Sequence, residues 1–480
     1  VTGATPALTI AGVTYTVINT LGVAADATTA PPTPTLQGIA AAANLGKHFA
    51  LGSDIDASAT SGWNSSAGFT PIGQSTSADT AFTGSFDGLG HTISAITINA
   101  PTGTFVGLFG YTNPDSLIQN VGLIGSSVTG SRNVGILVGH GAGTLNNCFV
   151  AGTVSGATTV GGLVGSNYGS VSDSYTSANV SGEPQNGSYI GGLVGAHWNG
   201  SITNSYTTGN VSGSSAVGGL IGKNSSQVQS SYATGDTSGG NSIGGLVGSN
   251  FGGAITGSYA TGSAKGNMAI GGLVGSNQAD VGSYGSDASI SNSYATGNVT
   301  GIGTTPGQLG GLVGSNNGTA VDQYKSYIRN SYATGSMSGT NFLTGGLVGN
   351  NDWSGISDCY WNKDVYSTGI AGSVSQGATG LTTAQMKQLS SFAGWNIADT
   401  GESGAIWRIY DGMTPPLLRS FLKPLTLMPN YNGINGETGL YSTTAANGLD
   451  IEKANMTFSS TSTPGTMIVK LNVTTDQQGY

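Results

Sequence analysis

The chain is organised around a seven-residue phrase, GGLVGSN, first complete at Gly161–Asn167 and followed eight residues later by Tyr175 in SDSYTSANVSG. The pair of segments returns nearly unchanged as GGLVGAH with NSYTTGNVSG, GGLIGKN with SSYATGDTSG and GGLVGSN with GSYATGSAKG, and runs on to Gly349. Its anchoring leucines are Leu108, Leu137, Leu163, Leu193, Leu220, Leu246, Leu273, Leu312 and Leu347, at spacings of 29, 26, 30, 27, 26, 27, 39 and 35 residues. Such a period means a stacked array in which each unit buries its apolar face against its neighbours. Each unit holds short runs of Val, Ile, Leu, Tyr and Thr between Gly, Ser and Asn, with no 3.6-residue periodicity, so strands joined by tight turns are expected. About 27 residues is too short for a propeller blade, which takes roughly 40, and no helix is present for a leucine-rich horseshoe. An all-β chain remains, a parallel β-helix (β-solenoid) of about nine regular coils, a rod on the order of 40 Å long at one strand spacing per coil.

In a β-helix equivalent positions lie above one another, so recurring residues must gain from stacking on themselves. One file is aliphatic, with Val164, Val194, Ile221, Val247, Val274, Val313 and Val348 beside the leucines. A second is aromatic, from Phe149 through Tyr175, Tyr206, Tyr232, Tyr259, Tyr294, Tyr332 and Tyr360. A third lies two residues earlier, with Asn147, Asp173, Asn204, Gly257, Asn292, Asn330 and Asp358, residue types that tolerate left-handed backbone and close turns. The paired glycines answer a parity problem. Val160 and Val164 fall on one face of an extended strand and Leu163 on the other, so a bend at Gly161–Gly162 is expected to turn all three inward.

Charged residues are only 7% of the chain and glycine supplies 83 of 480 residues; 13 basic minus 22 acidic side chains gives a net charge of −9, without basic runs. Nucleic acid and anionic membrane are excluded as partners, and no apolar stretch reaches the roughly 18 residues of a membrane-inserted helix. The opening at Val1, without a signal core, reads as the interior of a longer exported protein. Cys148 and Cys359 share the register that other coils fill with Ser174, Ser205, Ser231, Ser258, Ser293 and Ser331. Seven coils apart, about 34 Å, they are out of bridging range, so two free thiols are expected.

Taken in order, residues 1–50 read as an N-terminal cap with a strand at Tyr15–Ile18 and a short helix in LQGIAAAANLG. The β-helix follows over 51–375, regular from about 106 to 350. Asp54 and Asp56 fit a turn better than a metal site. Residues 376–423 read as a C-terminal cap containing one helix in LTTAQMKQLSSF, capped by Thr382 or Thr383, with Trp395, Trp407 and Tyr410 covering the solenoid's open end. Residues 424–480 read as a small β module, truncated at Tyr480.

The phrases GGLVGxN and NSYATGxVSG closely resemble the GLUG repeat of large bacterial exoproteins, including filamentous-haemagglutinin-like adhesins of two-partner secretion. DIDAS with GFTPIG, SFDGLGHTIS, GLTTAQMK and WRIYDGMTPPLL look like that family's borders, so the resemblance spans roughly residues 48 to 422. It implies a right-handed β-helix, export through an outer-membrane transporter, a secreted or cell-surface location and a role in attachment or biofilm cohesion. Some GLUG proteins are IgA-cleaving metallopeptidases, but no HExxH occurs around His48, His91, His140 or His197.

The residues themselves offer two candidate binding surfaces. The position after GSN carries Tyr168, Trp198 and Phe251, with Ser225 interrupting, and reads as an outward stripe of rings for an extended glycan, whose sugars present apolar C–H faces. The two longest spacings come from insertions in the same turn of consecutive coils, expected to form one lobe bearing Asp280, Tyr284, Asp287, Asp322, Tyr324, Lys325 and Tyr327. Sequons occur at Asn179, Asn210, Asn298 and Asn317. No nucleophile elbow, P-loop or Cys/His cluster is present, so no catalytic residue, metal or cofactor is assigned. The expected function is an extracellular adhesin that attaches cells to host surfaces, other cells or matrix, by binding a glycan, a polysaccharide or a surface protein. The alternatives are a passive stalk or matrix scaffold, and a polysaccharide-degrading β-helix enzyme.

Overall fold

The computed structural model describes residues 7–29, 31, 33–74, 80–282, 285–318, 324–372, 376–400, 403–424 and 449–450. The chain divides into two compact units, Val1–Gly380 and Leu381–Tyr480. The first is a right-handed parallel β-helix. One coil contains a lead strand (Thr158–Gly161), a spine strand (Val164–Asn167), a serine strand (Ser170–Ser172), a ring strand (Tyr175–Thr176) and a tail strand (Asn179–Gly182). Lead and spine strands each stack into nine-stranded sheets, giving the nine regular coils. Register is strict, with Val164 opposite Val194 and Tyr175 opposite Tyr206.

The expected corner is present. The chain bends at Gly162–Leu163, and Val160, Leu163 and Val164 are all fully buried. The second glycine has a further reason to be glycine. A Cβ at Gly219, Gly245 or Gly272 would stand 2.8, 2.9 or 3.0 Å from the methyl of Ala233, Ala260 or Ala295. The small residue after each tyrosine thus packs across the interior onto the glycine pair, so GG and YA are two halves of one contact. Trp361 occupies this register in the last coil, where its ring lies against Gly346, Gly369 and Gly380 and its indole N–H donates to the Tyr366 carbonyl at 2.9 Å.

All three predicted files exist. From Phe149 to Tyr332 the rings stack at centroid separations of 4.7 to 5.2 Å and interplanar angles of 2° to 7°. The turn file is left-handed throughout, with φ between 47° and 57° at Asn147, Asp173, Asn204, Gly257, Asn292, Asn330 and Asp358. Each buried serine donates to the carbonyl two residues back and accepts a backbone N–H from the preceding coil, as Ser174 does with Ser172 and Cys148. Both cysteines are free and fully buried in this file, and burial pushes each thiol up to about 12.

A fourth file was not anticipated. The asparagine of GSN points inward and is fully buried, and Asn224, Asn250, Asn277, Asn316 and Asn351 form a continuous amide ladder with N–H···O distances of 2.7, 2.7, 2.8 and 2.7 Å. The second amide hydrogen of Asn224 and Asn250 goes to a nearby turn carbonyl, so the donors are satisfied without water. His197 takes one position of this file, its Nδ1 3.0 Å from Asn167 Nδ2.

At the N-terminal end Ala7–Ile10 runs antiparallel to Val13–Ile18, which continues the serine sheet through His48–Leu51. The helix expected in LQGIAAAANLG is instead two 3-10 turns, Gln37–Ala40 and Ala42–Asn44, broken at Ala41. The buried Gln37 side chain is bound through both amide atoms to the Thr70 backbone at 3.0 Å, which fixes the first turn against the coil. The turn expected at Asp54 and Asp56 is corrected: Asp56 ends the short strand Ile55–Asp56 and accepts the Ser58 N–H, and Asp54, just before that strand, accepts the Thr92 N–H of the next coil.

In the second unit Trp395 and Trp407 pack at 4.8 Å with Phe392 beside them, and Trp407–Arg408 pairs with Ile397–Ala398 and Leu417–Leu418. The helix expected there is corrected to two 3-10 turns, Gln385–Lys387 and Leu389–Ser391. Thr382 and Gln385 do cap each other. The helix ends because Gly412 takes the Lys387 carbonyl and Asp411 takes the Leu389 N–H, two groups its next turn would need. The β module expected from 424 lies outside the described residues, save the pairing of Lys423–Pro424 with Leu449–Asp450. Among the described residues no helix is long and apolar enough to cross a membrane.

Candidate functional site

The glycine corner folds the lead and spine sheets toward each other on their outer side, and the result is a groove running across the coils. Its floor is the glycine after the spine valine. A Cβ at Gly165, Gly195, Gly222 or Gly248 would lie 2.4 to 2.6 Å from lead-strand backbone of the preceding coil, so only glycine lets the two sheets approach this closely. One wall is a column of lead-strand residues that the ladder skips: Phe105, Asn133, Thr159, Tyr189, Ala216, Ser242 and Ala269. All have positive φ, between 49° and 61°, a conformation costing an L-residue roughly 1–2 kcal/mol. Their side chains turn into the groove, as ring contacts from Phe105 to His140 at 5.6 Å and from Tyr189 to Trp198 at 6.5 Å record. The other wall is the spine-strand column Tyr111, His140, Ser166, Ala196, Lys223, Ser249, Ser276, Ser315 and Asn350, with the residues two further on.

The N-terminal half of the groove is filled by its own side chains. Tyr111 stacks on His140 at 4.5 Å, His140 on Tyr168 at 5.1 Å and Tyr168 on Trp198 at 6.2 Å. The Lys223 ammonium then sits 4.4 Å from the Trp198 ring centre, 4.9 Å from that of Phe251 and 5.5 Å from that of Tyr189. Burial lowers the Lys223 pKa, with Asp280 opposing, and burial holds His140 down at about 4, so the stack contains a neutral imidazole.

The C-terminal half is open. A cavity of about 580 Å³ lies between Ser242, Ala269 and Gln308 on one wall and Ser276, Ser315, Asn317, Asn350 and Asp352 on the other. Trp353 closes its end, with 63% of its surface exposed and a backbone φ of 53°. Asn350 donates to Asp352 at 2.7 Å and Ser315 to Asn317 at 3.1 Å, which holds these polar side chains in place.

The expected ring stripe is therefore corrected in one respect. Tyr168, Trp198 and Phe251 do lie in sequence along one wall, and Lys223 bridges the coil where Ser225 interrupts. Their faces, however, are turned to each other and to Lys223, and of the three only Tyr168 stays largely exposed, at 43%. The two insertions do meet, as expected for one lobe. Gly285 lies under the Tyr324 ring, and Asp287 accepts the Lys325 backbone N–H at 2.7 Å. Tyr327 carries the Arg329 guanidinium over its ring at 4.4 Å. Asp280 caps the Gly282 N–H and lies beside Gly252, next to Phe251. Tyr284 and Asp322 lie outside the described residues. Sequence reasoning missed Trp353, although its signal was available as an aromatic just past the last GLVGNN, and it missed the facing column, whose strained backbone left no mark in the sequence.

The family model described as "The GLUG motif" matches residues 186–212 and 266–300, two of these coils. The chain carries the GLUG motif. Halomucin from Haloquadratum walsbyi is 47% identical over 106 residues, and a "Putative Gly-rich membrane protein" from Evansella cellulosilytica is 34% identical over 108. Each match covers 22% of this chain, but only 1% of halomucin and 12% of the second relative. A crystal structure titled "putative immunoglobulin A1 protease" from Bacteroides ovatus aligns over 78% of this chain and 86% of its own at 15% identity. Its TM-score of 0.26 is too low to carry an argument.

Proposed function

We propose that this chain is an extracellular, surface-displayed β-helical segment of an adhesive or matrix-cohesive protein, and that it attaches by holding a polysaccharide in the groove between its lead and spine sheets. The observation that carries this reading is the open half of that groove, whose walls are hydroxyl, amide and carboxylate side chains without a basic residue. Such walls suit a neutral, hydroxyl-rich polymer, since amides and hydroxyls both donate and accept. The GLUG coils and the name of one relative, a "Putative Gly-rich membrane protein", support the location. A composition with 7% charge supports it too, because a surface so sparing of ion pairs depends little on ionic strength. A spacer reading has its own support in the N-terminal half, where the rings stack on one another. The test is a glycan array probed with the whole chain and with a variant lacking only the two insertions, residues 280–287 and 319–325, so that the groove residues Gln308, Ser315 and Asn317 are kept. Binding by both points to the groove, binding lost with the deletion points to the lobe, and binding by neither leaves the spacer.

A further inference from the structure

We propose that the open end of the groove is a binding subsite for an extended, neutral polysaccharide, with Trp353 as its sugar platform and Asn350 and Asp352 as its hydroxyl-reading pair. This deepens the attachment reading above and rests on it. Among the described residues Trp353 stacks on no other ring, whereas Tyr168 and Trp198 are packed against neighbouring rings and Lys223, and it stands at the mouth of the cavity with most of its surface uncovered. Its left-handed backbone, unfavourable for a large side chain, is what swings the indole out at the groove end, and strain of this kind concentrates where a side chain must be aimed.

The chemistry of the walls selects the ligand. Spine-wall strands are paired coil to coil through the open half, so a peptide could not add to that wall as a strand and would depend there on side chains. The lining has a carboxylate, Asp352, and no cation, which disfavours an anionic polymer. A sugar chain satisfies what is left. Its C–H face stacks on the indole, while vicinal hydroxyls meet the Asp352 carboxylate and the amides of Asn350, Asn317 and Gln308. The walls repeat once per coil at about 4.8 Å, close to the rise of one pyranose in an extended chain, so successive sugars would meet successive coils.

Affinity electrophoresis of the whole chain through gels containing dextran, galactomannan or hydroxyethylcellulose, with hyaluronate as the anionic control, tests this. The native chain should be retarded by at least one neutral polymer and not by hyaluronate. Trp353→Ala should weaken retardation about tenfold at an unchanged thermal midpoint, the loss expected from removing one stacking contact. Asn350→Ala should also weaken it, and Trp198→Ala should leave it within about twofold. Retardation of the native chain that survives both Trp353→Ala and Asn350→Ala overturns the subsite and leaves polysaccharide attachment standing elsewhere on the chain. Loss with Trp198→Ala alone moves the site to the filled half and overturns it equally. No retardation by any neutral polymer, or retardation by hyaluronate only, overturns both the subsite and the attachment reading.

Discussion

The two halves of the groove share one leucine, valine and glycine framework and differ chiefly on the outside. Under Tyr168 and Trp198, as under Ser276 and Ser315, the coil buries the same leucine and valine and turns at the same glycines. Yet one half is packed shut with rings and a lysine, and the other holds a cavity of about 580 Å³. A β-helix thus separates two tasks: the files that face inward must repeat, because each residue packs on its own copy, whereas the groove columns are free to vary because their neighbours are solvent and each other. The asparagine ladder is an inward file that varies, running unbroken from Asn224 in the filled half to Asn351 in the open one and giving way to His197 in the filled half.

If the interior is uniform, Leu163→Ala under the filled half and Leu273→Ala under the open half should each cost about 2–5 kcal/mol in denaturant melts. A clearly unequal pair would break the equivalence of the halves. Asn277→Ala strands the donor of Asn250 and the acceptor of Asn316, and should cost about 2–4 kcal/mol, showing that the ladder is structural and not an idle polar seam.

The outside should behave in the opposite way. Trp198→Ala removes contacts with Tyr168, Tyr189 and Lys223 and should cost about 1–3 kcal/mol, against less than about 0.5 kcal/mol for the exposed Trp353. Equal losses at the two tryptophans would show that the open half is as packed as the filled one.

The smallest effect sharpens the contrast in the ladder. Burial holds His140 and His197 neutral down to about 4, compared with about 6.5 in an unfolded chain. Between those values the unfolded chain binds protons that the folded chain refuses, so stability should fall as pH is lowered from about 6.5 to about 4 and change no further through these groups below that. His197→Asn should carry the amide ladder from Asn224 back to Asn167, whose Nδ2 now faces the imidazole, raise stability by about 1 kcal/mol and flatten that acid limb. An unchanged limb would assign the acid sensitivity to His140 or to carboxylates.

Much of this molecule was written in its repeat. Because coils stack one strand apart, equal sequence register becomes vertical alignment in space. The leucine and valine files, the tyrosine stack, the left-handed Asn and Asp turns and the Ser–Cys file could all be read without coordinates. The repeated asparagine of GSN was equally regular, but its sequence does not say whether a polar side chain points out to water or in to its own copy. That depends on the direction of the bend at Gly162–Leu163. The same bend decides which columns face each other across the groove, and so whether Trp198 offers a face or spends it on Tyr168. The helices expected at LQGIAAAANLG and LTTAQMKQLSSF were lost for a related reason: Thr70, Asp411 and Gly412, distant in sequence, satisfy the polar groups around those short turns. Vertical order follows from periodicity alone, whereas lateral contacts within a coil depend on corner angles and on partners far along the chain, which only the folded structure fixes.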